Sequence, residues 1–148
     1  MMRRFSWVAI AGLLIAGCGS SGSGSTKSTA TVPAITKAEL VAKANAICTN
    51  GNGPLIAAAG KLAGHPSRAE VAGIVRSAYV PAIEAQIRAI RALGVPAGEQ
   101  AIVTRMLKLA QADLKKLKSN PALVNTDVFG GFAKVAHPYG LTACAPTS

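Results

Sequence analysis

Apolar residues recur at helical spacing through most of the chain, and no stretch alternates convincingly with period two. Thr36-Lys37-Ala38-Glu39 has the form of a capping box, a threonine N-cap answered three residues later by a glutamate. Leu40, Ala44, Ile47 and Cys48 follow on one helical face. Asn50-Gly51-Asn52-Gly53-Pro54 must interrupt that helix, because glycine and proline disfavour helix interiors. Pro54 suits the first position of a second helical piece running through Leu55, Ile56, Ala59 and Leu62. The glycines here lack the Gly-Lys-Ser/Thr ending and the preceding strand of a phosphate loop, so a helix-to-helix turn is the better reading.

Ser67-Arg68-Ala69-Glu70 is a second capping box and opens a long helical pattern to about Leu93. Val71, Ile74, Val75, Ala78 and Tyr79 share one face. Beyond Pro81, Ile83, Ile87 and Ile90 share another, rotated by roughly 100°. A stripe that rotates at a proline predicts a kink or a short break near Val80. A third helix is predicted from Pro96-Ala97-Gly98-Glu99 to about Ser119, with Val103, Met106, Leu107, Ala110, Leu114 and Leu117 in one stripe, and Asn120-Pro121 ends it. Thr126-Asp127 is expected to start a fourth, weaker helix through Val128, Phe132, Val135 and Tyr139, with Gly140 as its C-cap. Helices joined by short loops define an all-α fold, a small antiparallel bundle of about four helices, one or two of them kinked or broken.

The N-terminus has a different character. Arg3 and Arg4 precede an apolar run from Phe5 to Ala16, broken only by Ser6 and Gly12. A basic start followed by about a dozen apolar residues is the layout of an export signal, and is too short to span a bilayer. The run ends in Leu14-Ile15-Ala16-Gly17-Cys18, which resembles the lipobox of bacterial lipoproteins. The resemblance covers about the first 20 residues. It implies cleavage after Gly17, a diacylglycerol thioether on Cys18, and anchoring on the extracytoplasmic face of a bacterial membrane. Gly19-Ser20-Ser21-Gly22-Ser23-Gly24-Ser25-Thr26 then reads as a flexible tether with nothing to bury. About 14 residues of such coil span roughly 20 Å, enough to hold a domain just clear of a lipid surface. The expected division is therefore a signal over 1–17, an anchored tether over 18–32 and one helical domain over 33–148.

With Cys18 lipidated, Cys48 and Cys144 remain, and an even pair in an exported domain reads as one disulfide. Two free buried thiols, or one reactive thiol, are the competing readings. Closing a loop of about 97 residues is worth up to roughly 4.7 kcal/mol in the chain-entropy model. No Cys-x-x-Cys occurs, and two cysteines with the distant His65 and His137 offer no zinc-ligand spacing. The stretch from 36 to 144 also resembles small helical lipoproteins of actinobacterial type. The residues that carry the likeness are Ala44-Asn45-Ala46-Ile47-Cys48 and Tyr139-Gly140-Leu141-Thr142-Ala143-Cys144. That resemblance implies a helical domain closed by the cysteine pair and supplies no active site.

Candidate chemistry is sparse. The chain has six acidic residues. Glu39, Glu70 and Glu99 fall in predicted first helical turns, where they complement the helix dipole. Glu84 stands four residues before Arg88, the spacing of a surface ion pair. Asp113 lies beside the apolar stripe as a partner for a lysine, and Asp127 follows Thr126 at a helix start. His65 and His137 each precede a proline, and no Gly-x-Ser-x-Gly elbow accompanies them. No catalytic residue, cofactor or metal is therefore expected.

Charge changes the picture most. Sixteen Lys and Arg stand against six Asp and Glu, a formal +10. Without residues 1–17 the chain keeps about +8. Nucleic acid is not an expected partner, because the few aromatics occupy apolar helical positions. Anionic lipid and acidic envelope polymers are nearer at hand. On the third predicted helix Arg105, Lys108, Lys115 and Lys116 fall opposite the apolar stripe. That face either keeps the domain soluble or docks it on an anionic surface. Three functions stay open: a non-catalytic binding or structural module of the envelope, an exported hydrolase with an unrecognised site, and a carrier of a lipid-like ligand in a helical groove. The many alanines and glycines make close helix packing easy, so a large cavity is not implied.

Overall fold

A computed structural model describes residues 34–145. These form α1 (Lys37–Gly51), α2 (Gly53–Leu62), α3 (Arg68–Ile74), a π-helical turn (Val75–Tyr79), α4 (Val80–Ala92), α5 (Gln100–Ser119), a 3-10 turn (Pro121–Asn125) and α6 (Gly130–Tyr139). No strand occurs among the described residues, and none of their helices is long and apolar enough to cross a membrane. The described residues are all-helical, with five helical rods if α3, the π turn and α4 are taken as one. Cys18, the export signal and the tether lie outside the described residues.

Both capping boxes close as their spacing predicts. The Thr36 hydroxyl accepts from the Glu39 N–H at 3.2 Å, and the Glu39 carboxylate accepts from the Thr36 N–H at 2.9 Å. Ser67 and Glu70 repeat the arrangement at 3.4 and 2.8 Å. The break after α1 is one residue wide. Asn52 ends α1, its carbonyl accepts from the Ile56 N–H at 2.9 Å, and Pro54 sits in the first turn of α2.

Three predicted features differ in detail. No break opens near Val80. The chain runs on through the π turn, where the Val80 N–H reaches the Val75 carbonyl five residues back. Pro81 has no N–H to give and its ring crowds the preceding turn, so widening that turn lets the helix continue. The wider turn also brings the rotated stripe back to one side: Val75 and Ile87 are both buried. The last helix starts at Gly130, not at Thr126-Asp127. Thr126 is extended and its hydroxyl donates backward to the Leu123 carbonyl, which closes the 3-10 turn. Lastly, Glu99 stands before α5 without a side-chain capping bond; its carboxylate pairs with Lys37 at 3.5 Å.

The larger core cluster joins Leu40 and Ala44 of α1, Val103 and Met106 of α5, Ala136 and Tyr139 of α6, and Leu141 and Ala145 of the tail. A smaller one joins Ile87 of α4 to Ala110 and Leu114 of α5. The tail is fixed at several points. Gly140 adopts φ +109°, where a side chain is strained, and a Cβ there would stand 3.1 Å from Val41. The Asn45 side-chain amide donates to the Gly140 carbonyl at 2.8 Å and accepts from the Ala143 N–H at 3.0 Å. Cys48 and Cys144 are joined by a disulfide, with Cα atoms 5.1 Å apart.

Candidate functional site

A cavity of about 460 Å³ lies among the helices. Leu40 and Cys48 of α1, Leu55 and Ala59 of α2, Ile83 and Ile90 of α4, and Met106 and Ala110 of α5 line it. Phe129, Phe132 and the tail residues Leu141 and Cys144 complete the wall, so the disulfide borders the space. Ile56 is on the wall as well and is 71% exposed, which means that the cavity reaches solvent beside α2. A concave, mostly apolar space with a few polar groups on its wall is the usual form of a small-molecule site.

The close packing that small residues allow does not occur around this space, for a physical reason. Alanines at 59, 110, 133, 143 and 145 all face the space and are too short to fill it. Helix α2 contributes a single buried residue, Ala58, while its Leu55 and Ile56 lie on the cavity wall. Alanine content alone does not say whether helices close on one another or stand apart. The contacts that decide this join residues far apart in sequence.

Polar groups on the wall are few: Asn52, Tyr79, Gln86 and Asp127. The Gln86 amide donates to the Asn52 side-chain oxygen at 3.2 Å, a half-buried pair between the α1–α2 junction and α4. Gln86 also packs over Gly51, where a Cβ would meet its amide nitrogen at 2.7 Å. Burial pushes the Tyr79 phenol above its ordinary value. The exposed Asp127 carboxylate lies against Gly130 and occupies the space a Cβ would need there. These wall groups carry no sequence signature, and only the fold brings them together.

The cations of the predicted basic face differ in their surroundings. Arg105, Lys108, Lys115 and Lys116 are all exposed on α5. Lys116 is engaged by Asp113 at 2.8 Å, the lysine partnership expected for that acid. The second Asp113 oxygen is buried with no hydrogen-bond partner among the described residues. Glu84 pairs with Lys118 of α5, not with Arg88 as its spacing suggested. Lys115 also borders a cleft of about 310 Å³ between α4 and α5, which Glu84, Arg88, Arg91 and Lys118 line together with Ile87 and Leu114. Neither His65, in the turn between α2 and α3, nor His137, in the last turn of α6, lines the cavity, and both are exposed. Among the described residues no three His, Cys, Asp or Glu side chains converge.

A second buried polar group lies away from the cavity. Lys37 stands 4.5 Å above the centre of the Tyr139 ring and bridges to Glu99. The Tyr139 hydroxyl is buried and makes no hydrogen bond of normal geometry among the described residues. Burial first, and the nearby Glu99 carboxylate second, push its pKa up to about 12. This corner ties the start of α1 to the end of α6. No protein-family model, curated protein or solved structure matches the chain.

Proposed function

We propose that the chain is an exported, lipid-anchored module of the bacterial envelope that holds an apolar ligand in a helix-lined cavity and performs no chemistry on it. The apolar cavity of about 460 Å³, open beside α2, carries this reading. Its size falls within the range of small-molecule sites, and its few polar groups suit orientation better than reaction. In this reading the helices form an antiparallel bundle with the cavity between them. The ordered lipobox elements ending at Cys18, the solvated tether and the disulfide support export and anchoring. Intact-mass measurement of the membrane form is expected to find acyl chains on Cys18, and their absence removes the anchor from the proposal.

The exposed cations of α5 support a second contact, with anionic lipid or an acidic envelope polymer. The cavity itself is tested with N-phenyl-1-naphthylamine, whose fluorescence rises in apolar surroundings. Full-length Cys18→Ser protein should enhance it saturably, and Ala110→Phe, which fills the cavity from α5, should abolish the enhancement while raising thermal stability. Equal enhancement by both proteins would place the probe elsewhere and refute the proposal.

A further inference from the structure

The wall of this cavity constrains what enters it, and the inference rests on the binding reading above. We infer that the site takes one hydrocarbon chain of about fifteen carbons bearing an uncharged, hydrogen-bonding head, and that it rejects the corresponding carboxylate.

Volume sets the chain. A methylene occupies much the same room as a water molecule in the liquid, about 30 Å³, so 460 Å³ accommodates one chain of about fifteen carbons and not two. Charge sets the head. The protein carries 16 Lys and Arg, yet none of them lines the cavity among the described residues. Asp127 is the one charged residue on that wall, and it is acidic. An anionic head brought here loses water and meets no cation, and the charge that Asp127 adds to the same wall is of its own sign.

Recognition of a neutral head falls to Asn52 and Gln86. Their mutual hydrogen bond uses one donor and one acceptor. Whichever way the two amides are turned, a free N–H group and a free carbonyl remain between them. A hydroxyl or an amide head can donate to one and accept from the other, whereas a carboxylate can only accept. Gly51 lets Gln86 lie close enough to hold this position, since a Cβ there would strike the amide.

The test is displacement of N-phenyl-1-naphthylamine from full-length Cys18→Ser protein at about pH 8.5, where a carboxylate is fully ionised. The competitors are tetradecanol, tetradecanoate and a diacylglycerol with two tetradecanoyl chains. Tetradecanol should displace the probe at a concentration about tenfold below that of tetradecanoate, and the two-chain lipid should not displace it. Gln86→Met should weaken tetradecanol about tenfold relative to the probe affinity measured for that variant itself, and an unchanged circular dichroism spectrum shows that the variant is folded. Tetradecanoate binding as tightly as the alcohol, or displacement by the two-chain lipid, overturns the inference and leaves the cavity as a less selective apolar site. Failure of the probe itself to bind overturns the underlying reading as well.

Discussion

Replacing both Cys48 and Cys144 by alanine asks what closes the domain. The bond links residues 96 apart, so it restricts nearly the whole unfolded domain. Chain entropy puts the loss at up to about 4.7 kcal/mol, and native disulfides commonly give 2 kcal/mol or more. At roughly 4 °C per kcal/mol for a domain of this size, the melting temperature should fall by about 8–19 °C. The folded tail should stay docked, because Asn45 still holds Gly140 and Ala143 while Leu141 and Ala145 are still buried. Removing Asn45 then becomes informative. In the disulfide-bonded protein Asn45→Ala should cost about 1–3 kcal/mol, the range for leaving half-buried backbone groups unpaired. Once the bond is absent, removing Asn45 as well lets the tail detach, and the cost should differ by at least about 0.5 kcal/mol. Thermal melts of the four proteins of this cycle measure both effects. A fall of less than about 3 °C for the double alanine variant would refute the reasoning and assign closure to the tail's packing alone.

Three further outcomes are expected. The capping hydrogen bonds hold the Glu39 and Glu70 carboxyls below their ordinary value of 4.5. Their stabilisation is therefore full above 4.5 and is lost as pH falls through the lower folded values, so Thr36→Ala with Ser67→Ala should reduce the acid sensitivity of the melt; an unchanged acid limb argues against it. Tyr139 titrates high in the fold, at about 12 against an ordinary 10.0, so its stabilisation is full below pH 10 and is lost toward 12. Phenolate absorbance from Tyr139 should thus appear together with alkaline unfolding, and Tyr139→Phe should separate unfolding from that signal. Sedimentation with anionic vesicles at low salt should weaken for Lys108→Gln with Lys115→Gln and change least for Lys116→Gln, whose cation Asp113 already engages; equal loss at all three positions would contradict that ranking.

The helices could be read from the sequence wherever a local signal decides. The two capping boxes, Pro54 at the start of α2 and Gly140 at the end of α6 act within a few residues, and each fell where its chemistry placed it. Thr126-Asp127 misled because the same side chains can close a 3-10 turn behind them or cap a helix ahead of them. Glu84 misled because a neighbouring helix offered Lys118 where the sequence displayed only Arg88. The disulfide followed from counting cysteines, and the Asn45 clamp gave no pattern beyond the residues around Cys48. The cavity was illegible because it is a shortfall of volume summed over α1, α2, α4, α5, α6 and the tail. No window of sequence contains that sum.

The π turn at Val75–Tyr79 makes this rod sensitive to length in a way that its composition conceals. One extra residue has been taken up in a single turn, and every side chain upstream is phased against the core by that addition. Deleting Ser77 would restore ordinary pitch and turn Val71, Ile74 and Val75 by about 100° away from their present neighbours. Substitution at an exposed site such as Ser77 leaves this phase untouched. Related chains should therefore vary freely in residue type along this surface while keeping the number of residues between Ser67 and Pro81 constant.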